Sequence, residues 1–220
     1  MRPIVVSVGP LANASANNIA TSQTPTSGTA LTLNGSLVVS GVAVLDKPRR
    51  VLLTYGNEAS NRTLVVVGTN VSGNSITETL AVPSGGSGTV ATVLDYATVT
   101  SLTPAGGGWT AAVTVGTNGV AASPWVRLDD WNSNYVTVQC VVSGTVDYTV
   151  QQTLDDPNSL SNPVAPQSVT WSSSADTGVV GATATKMSGF QYAPCFARVL
   201  LNSGSGSVTA TFLQSATPAR

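Results

Sequence analysis

The chemistry open to this sequence is narrow. It contains no histidine, which removes the side chain most used for proton transfer near neutral pH and the commonest metal ligand. Ser-His-Asp and Cys-His nucleophiles are thereby excluded. What remains is carboxylate chemistry, for which Glu58, Glu78, Asp95, Asp129, Asp130, Asp155 and Asp156 are the candidates, since a glycoside hydrolase needs only two such groups. Sugar cleavage also needs an aromatic-lined cleft, and aromatic residues make up 5% of the chain and are scattered. Asp129-Asp130 and Asp155-Asp156-Pro157 each follow an apolar run, where Asp caps turns and ends strand pairing. Neither pair has the alternating acidic spacing of a calcium loop. The reading is therefore a non-enzyme with no catalytic, cofactor-binding or metal-binding residues and no cofactor.

Glu78 needs separate treatment. In SITETLAV (75–82) the period of two puts it on the same face as Ile76, Leu80 and Val82, and an unpaired carboxylate on an apolar face is too costly to keep. A loop pairing Asn70 with Asn74 sets Glu78 opposite Val66. Two solutions stay open: a pair with Arg49 or Arg50, or a place at the wet rim of a subunit boundary.

The other polar motifs read as structural. SGGSG (84–88) and GGG (106–108) lack the phosphate-loop pattern and are expected as loop tips. Lys47-Pro48-Arg49-Arg50 is the one basic cluster, expected as solvated edge charge that discourages stray strand pairing. Cys140 and Cys195 have no metal or redox spacing and are expected as reduced core thiols, with a disulfide formed outside the cell as the alternative. Trp109, Trp125, Trp131 and Trp171 serve core or interface packing, or else stack on sugars. The Asn-x-Ser/Thr triplets at Asn13, Asn34, Asn61 and Asn70 would matter only in a secreted chain.

The elements that must carry these groups are strands. Helical periodicity is nearly absent, with a weak trace around ANASANNIATS. Short β-branched runs separated by turn residues recur instead, among them 4–8, 30–40, 42–45, 50–55, 62–69, 75–82, 89–94, 111–116, 135–142, 146–153, 168–171, 197–201 and 208–214. Three hairpins are expected: 62–69 with 75–82, 135–142 with 146–153, and 197–201 with 208–214. VVVGTN (65–70) and VTVGTN (113–118) repeat one local turn solution. Three of the four Trp and both Cys fall from TNGVAASPW onward, which sets a boundary near residue 121. The fold expected is all-β, two antiparallel β-sandwich domains (jelly-roll or Ig-like) in tandem: residues 1–120 with an extended N-terminal arm, and residues 121–220. The long polar segment 154–190 is expected to be functional or to contact a partner.

The chain has 220 residues, of which 9% are charged, and a formal net charge of -1. Average soluble proteins carry roughly 25% charged residues. So little charge offers no field for nucleic acid or anionic lipid, and leaves a surface that few hydrated ions defend against protein contact. The first residues hold an apolar run too short for a signal peptide, and no window suits a membrane helix. The expectation is a protein made in the cytoplasm.

Three motifs carry a resemblance: the ITET strand in VVVGTNVSGNSITETLAVPSGGSG, the junction SPWVRLDD, and VTVQCVVSGTVDYTVQQTLDDP. Across most of residues 30–157 the chain resembles a group of uncharacterised structural proteins of tailed bacteriophages and prophages. The resemblance implies a virion component on the head, the neck or the tail attachment region: a capsid decoration protein, a collar or head-tail connector element, or a tail fibre attachment subunit. Its implied partners are further copies of itself, as a homo-oligomer, and other virion proteins, with no nucleic acid and no membrane. Its implied location is the virion, assembled in the host cytoplasm. The alternative is a carbohydrate-binding adhesin module for host-surface recognition, motivated by the β pattern and the four Trp.

Overall fold

The computed structural model describes residues 3–58, 61–128, 136–191 and 193–214. In chain order the strands are β1 (Ile4–Val8), β2 (Ser15–Gln23), β3 (Val38–Val39), β4 (Val42–Tyr55), β5 (Thr63–Thr69), β6 (Ser75–Ala81), β7 (Gly88–Ala91), β8 (Tyr96–Ala105), β9 (Val113–Ala122), β10 (Val126–Arg127), β11 (Val136–Ser143), β12 (Val146–Thr153), β13 (Ser172–Ser173), β14 (Lys186–Gly189), β15 (Phe196–Gly204) and β16 (Ser207–Gln214). Two single 3-10 turns, Pro166–Ser168 and Thr177–Val179, are the helical content of the described residues. The chain is all-β, as its period-two apolar runs require.

The chain divides into two compact units, residues 12–119 and residues 1–11 with 120–220. In the first unit the strand order is β9-β4-β8-β5-β6, with β2 on β9 and both β3 and β7 on β4. β2 on β9, β3, β7 and β8 on β4, and β6 and β8 on β5 all pair antiparallel. All of these main strands send one face into a single core that includes Ile19, Leu53, Leu64, Val66, Tyr96, Leu102 and Val115. The sheet must therefore curl on itself.

The second unit has a four-stranded sheet of order β1-β16-β11-β14. A second layer consists of β13-β12-β15, with β10 and the end of β9 on β15. Val138, Cys140, Val208 and Phe212 from the first layer share one core with Tyr148, Val150, Val199 and Leu201 from the second.

Several expectations change. The first eleven residues, read as an arm of the first domain, belong to the other unit: β1 pairs with β16 from Ile4↔Phe212 to Val8↔Val208. The hairpin of β5 and β6 forms in the expected register, Val66 opposite Glu78. The other two do not form. β11 pairs with β16 and β14, whereas β12 pairs with β15 and β13, so each of the two turns carries the chain from one layer to the facing one. Alternation reveals which face of a strand is buried, but a strand and its successor bury the same kind of face in both arrangements. The weak helical trace at 12–22 is strand β2. Of 30–40, only Val38–Val39 is strand, because the Asn34-Gly35 turn is held by Asn34 Oδ1 accepting from the Thr21 amide and hydroxyl. Segment 168–171 is not a strand: the 3-10 turn ends at Ser168 and β13 starts at Ser172.

Candidate functional site

The carboxylates are occupied by backbone. Glu78 is half-buried and accepts from the Val93 and Leu94 amides at 2.8 and 2.9 Å. The partners are backbone amides rather than an Arg: two amide dipoles in the β7 to β8 turn supply the compensation a half-buried charge requires. Glu58 is 2% exposed and accepts from the Thr110 and Ala111 amides and the Thr110 hydroxyl, with Arg62 Nε at 3.7 Å. Burial raises its pKa, but the two amides, the hydroxyl and Arg62 together hold it below the usual carboxylate value. Asp156 makes the expected Asx-turn onto the Asn158 amide and pairs with Arg127 at 3.3 Å. Asp155 accepts from the Thr170 amide, and Asp95 lies 3.8 Å from Arg50. Asp129 and Asp130 lie outside the described residues. Glu58, Glu78, Asp95, Asp155 and Asp156 thus each stabilise a turn or an ion pair, and among the described residues no group of three His, Cys, Asp or Glu is arranged to hold a metal ion.

The basic cluster is not the solvated edge expected. Arg49 is 1% exposed. Its Nη1 donates to the Ala12 carbonyl and to Asp46 Oδ1, and its Nε and Nη2 donate to the Asn118 carbonyl. Asp46, which sequence reasoning passed over, also accepts from the Ala12 amide. One ion pair thereby ties both ends of the 12–119 unit. The signal was faint: Asp46 and Arg49 are three apart in a strand, on opposite faces by simple alternation, and the shift in β4 pairing between Val44 and Arg49 is what reunites them.

Cys140 is buried and Cys195 half-buried. Burial pushes the Cys140 thiol up to about 11 against a smaller opposing effect of the Tyr148 hydroxyl, which leaves it protonated and inert at neutral pH. Trp109 is buried in the core of the 12–119 unit, and Trp131 lies outside the described residues. Trp125 and Trp171 meet edge to face at 5.1 Å, Trp125 meets Phe196 at 6.1 Å, and the Arg198 guanidinium lies 4.3 Å over the Trp171 ring. Arg198 Nε also donates to Gln151. Both Trp rings are half-buried, and their contacts with one another, Phe196 and Arg198 are those of packing side chains.

Beside them is a cleft of about 290 Å³ lined by Gln152, Thr153, Leu154, Asp155, Thr170, Ser172 and Pro194. Thr170 and Ser172 line it, and Trp171 between them does not. The lining has hydroxyls, an amide, one carboxylate and an exposed Leu154, but no cation, so it suits a small neutral ligand better than a phosphate. The long polar segment thus supplies most of this cleft, which sequence reasoning did not place.

The larger feature is the outward face of the four-stranded sheet. Because Val138, Cys140, Val208 and Phe212 point inward, their neighbours Gln139, Val141, Thr209, Thr211 and Leu213 point outward, with Val5 and Met187 in register on the flanking strands. Val5, Val141, Met187 and Leu213 are 58%, 46%, 71% and 37% exposed. Lys186, the charged residue of these four strands, is in register with inward-facing Cys140, so among the described residues this outward face carries no charge. No family model, curated protein or solved structure matches the chain.

Proposed function

We propose that this chain is a non-enzymatic structural subunit of a tailed-bacteriophage virion, placed on the head or the head-tail neck in a decoration, collar or fibre-attachment role. The observation that carries the assembly reading is the uncharged outward sheet face, where four exposed apolar side chains lie among Thr, Ser and Gln. A solitary protein usually protects such a surface with Lys or Glu, whereas a subunit buries it at low desolvation cost. The carboxylates held by backbone amides support the absence of catalysis, because groups already accepting from amides are poor general bases. The resemblance of the ITET, SPWVRLDD and SGTVDYTVQ segments supplies the phage context. Mass spectrometry of purified particles is expected to find the chain at a copy number set by symmetry, hundreds for decoration and about six or twelve for a neck ring. Its absence from particles removes the reading.

A second reading, a carbohydrate-binding adhesin, is favoured by one observation, the hydroxyl-lined cleft with no cation. Titration with neutral sugars, followed through the amide signals of Thr170 and Ser172, tests it. Unmoved signals reject it.

A further inference from the structure

We infer that the outward face of the β1-β16-β11-β14 sheet pairs with the same face of a second copy of this chain, across a twofold axis parallel to the strands. This rests on the assembly reading above and names its first partner.

The occupant follows from charge. A face that offers no charged group gains nothing from an ionic partner and would strip that partner's ions of water without repayment. It can meet its own copy without burying any like-charge contact, and self-complementarity is what a twofold interface demands. The register supplies the complementarity. One row across the sheet reads Val5, Thr211, Gln139, Met187. An axis parallel to the strands lays β1 of one copy over β14 of the other, so Val5 of each meets Met187 of the other, apolar on apolar. The same operation sets Gln139 over Thr211, an amide facing a hydroxyl, each able to donate and accept. In the neighbouring row Val141 comes over Thr209, and in the next Leu213 over Thr137. No charged pair arises in any of these rows. Met is well suited to such a contact, since its flexible thioether fits an irregular partner surface.

Size sets the strength. Four strands about 4.8 Å apart and about five residues long, at roughly 3.4 Å each, give a patch on the order of 19 by 17 Å. That is about 320 Å² per copy and about 650 Å² for the pair, below the roughly 1,200 Å² at which stable specific interfaces begin, so the contact belongs to the weak, transient class. The expected state is a weak, concentration-dependent dimer, which repetition in a symmetric array would reinforce.

The test is sedimentation velocity on the full chain from about 5 to 500 µM. The expected result is a monomer-to-dimer shift across that range, with a dissociation constant that does not weaken between low and high sodium chloride, as an uncharged interface requires. Val141→Glu and Met187→Lys are each expected to hold the chain monomeric, weakening association at least tenfold. Both side chains are largely exposed, so the melting temperature measured at low concentration is expected to stay within a degree or two of the parent. A parent monomeric at every concentration overturns the inference, as does a dimer that survives both substitutions or dissociates with salt. A chain that is monomeric in solution yet present in particles would remove this pairing and leave the assembly reading intact, and a dimer absent from particles would do the reverse.

Discussion

At the scale of single residues, the carboxylates show how this fold places charge where a sequence reader suspects chemistry. Glu58 is the clearest case, with its side chain enclosed and its oxygens taken by the Thr110 and Ala111 amides and the Thr110 hydroxyl. Its folded pKa lies below the ordinary 4.5, so the ionised form contributes stability that is fully present above pH 4.5 and is lost as the pH falls through the folded value. Asp46, also held below its ordinary value by the Ala12 amide and Arg49 once burial is outweighed, works in the same direction. Acid titration of the protein is therefore expected to lower the denaturant midpoint progressively below pH 4.5. Glu58→Gln is expected to cost about 1–3 kcal/mol at pH 7, the worth of hydrogen bonds to a charged acceptor, and to flatten the acid dependence. Equal loss in the variant and the parent between pH 4.5 and pH 2 would show that Glu58 is not the titrating group. The need to satisfy Glu78 was legible from the sequence, because an apolar face cannot hold a bare carboxylate. Its partner was not, since amides in a turn fifteen and sixteen residues away leave no side-chain signature.

At the scale of elements, strand identity was legible and strand partnership much less so. Period-two runs located most of the long strands, and the Asn70 to Asn74 loop fixed one hairpin, with Asn70 Oδ1 accepting from the Ser72 and Asn74 amides. The turns at 143–146 and 203–207 carry the same glycine-rich chemistry, yet they lead between layers, because pairing partners come from sequence-distant strands. The VGTN repeat illustrates a second gap. Gly68 and Gly116 do solve one local problem twice, but it is close approach of a neighbouring strand rather than turn formation: a Cβ on Gly68 would lie 1.9 Å from the Thr98 carbonyl oxygen, and one on Gly116 would lie 1.8 Å from that of Ser15. Both positions adjoin breaks in register, between Val67 and Gly68 and along the β2 to β9 pairing, where bulges bring backbones together. Gly68→Ala and Gly116→Ala are each expected to destabilise by about 2 kcal/mol or more, since backbone rather than a flexible side chain must move. Gly119→Ala, where nothing lies within 4 Å, is expected to fall within about 0.5 kcal/mol of the parent. Urea midpoints of the three variants check this, and a Gly68→Ala or Gly116→Ala variant as stable as the parent would remove close approach as the reason for glycine there, since Gly→Ala without a clash gains stability through the unfolded chain.

At the scale of the whole molecule, the composition shift near residue 121 lies close to where one compact unit gives way to the other, after Gly119. Composition could not reveal that the chain's first strand pairs with its last. IVVSV reads like any edge strand, and its partner lies some two hundred residues away, beyond the reach of any local pattern. The consequence is that residues 12–119 stand in sequence as an insertion within a unit formed by the two ends of the chain. An inserted unit must keep its own start and finish together, and Arg49 has that geometry: buried, bonded to the carbonyls of Ala12 and Asn118, and paired with Asp46 at 3.0 Å. Its core draws on every main strand of the unit, and the described residues that form it all lie within 12–119. Residues 12–119 expressed alone are thus expected to fold cooperatively, with buried Trp109 giving a blue-shifted emission that moves to the red in one urea transition. Arg49→Met keeps most of the volume but removes the guanidinium bonds to the Ala12 and Asn118 carbonyls and to Asp46. It is expected to cost about 3 kcal/mol, as removing one partner of a buried pair does, and to loosen amide-exchange protection first at Ala12 and Asn118. A fragment that is unfolded, or an Arg49→Met fragment as stable as its parent, would mean that closure of this unit comes from elsewhere than the Arg49 clasp.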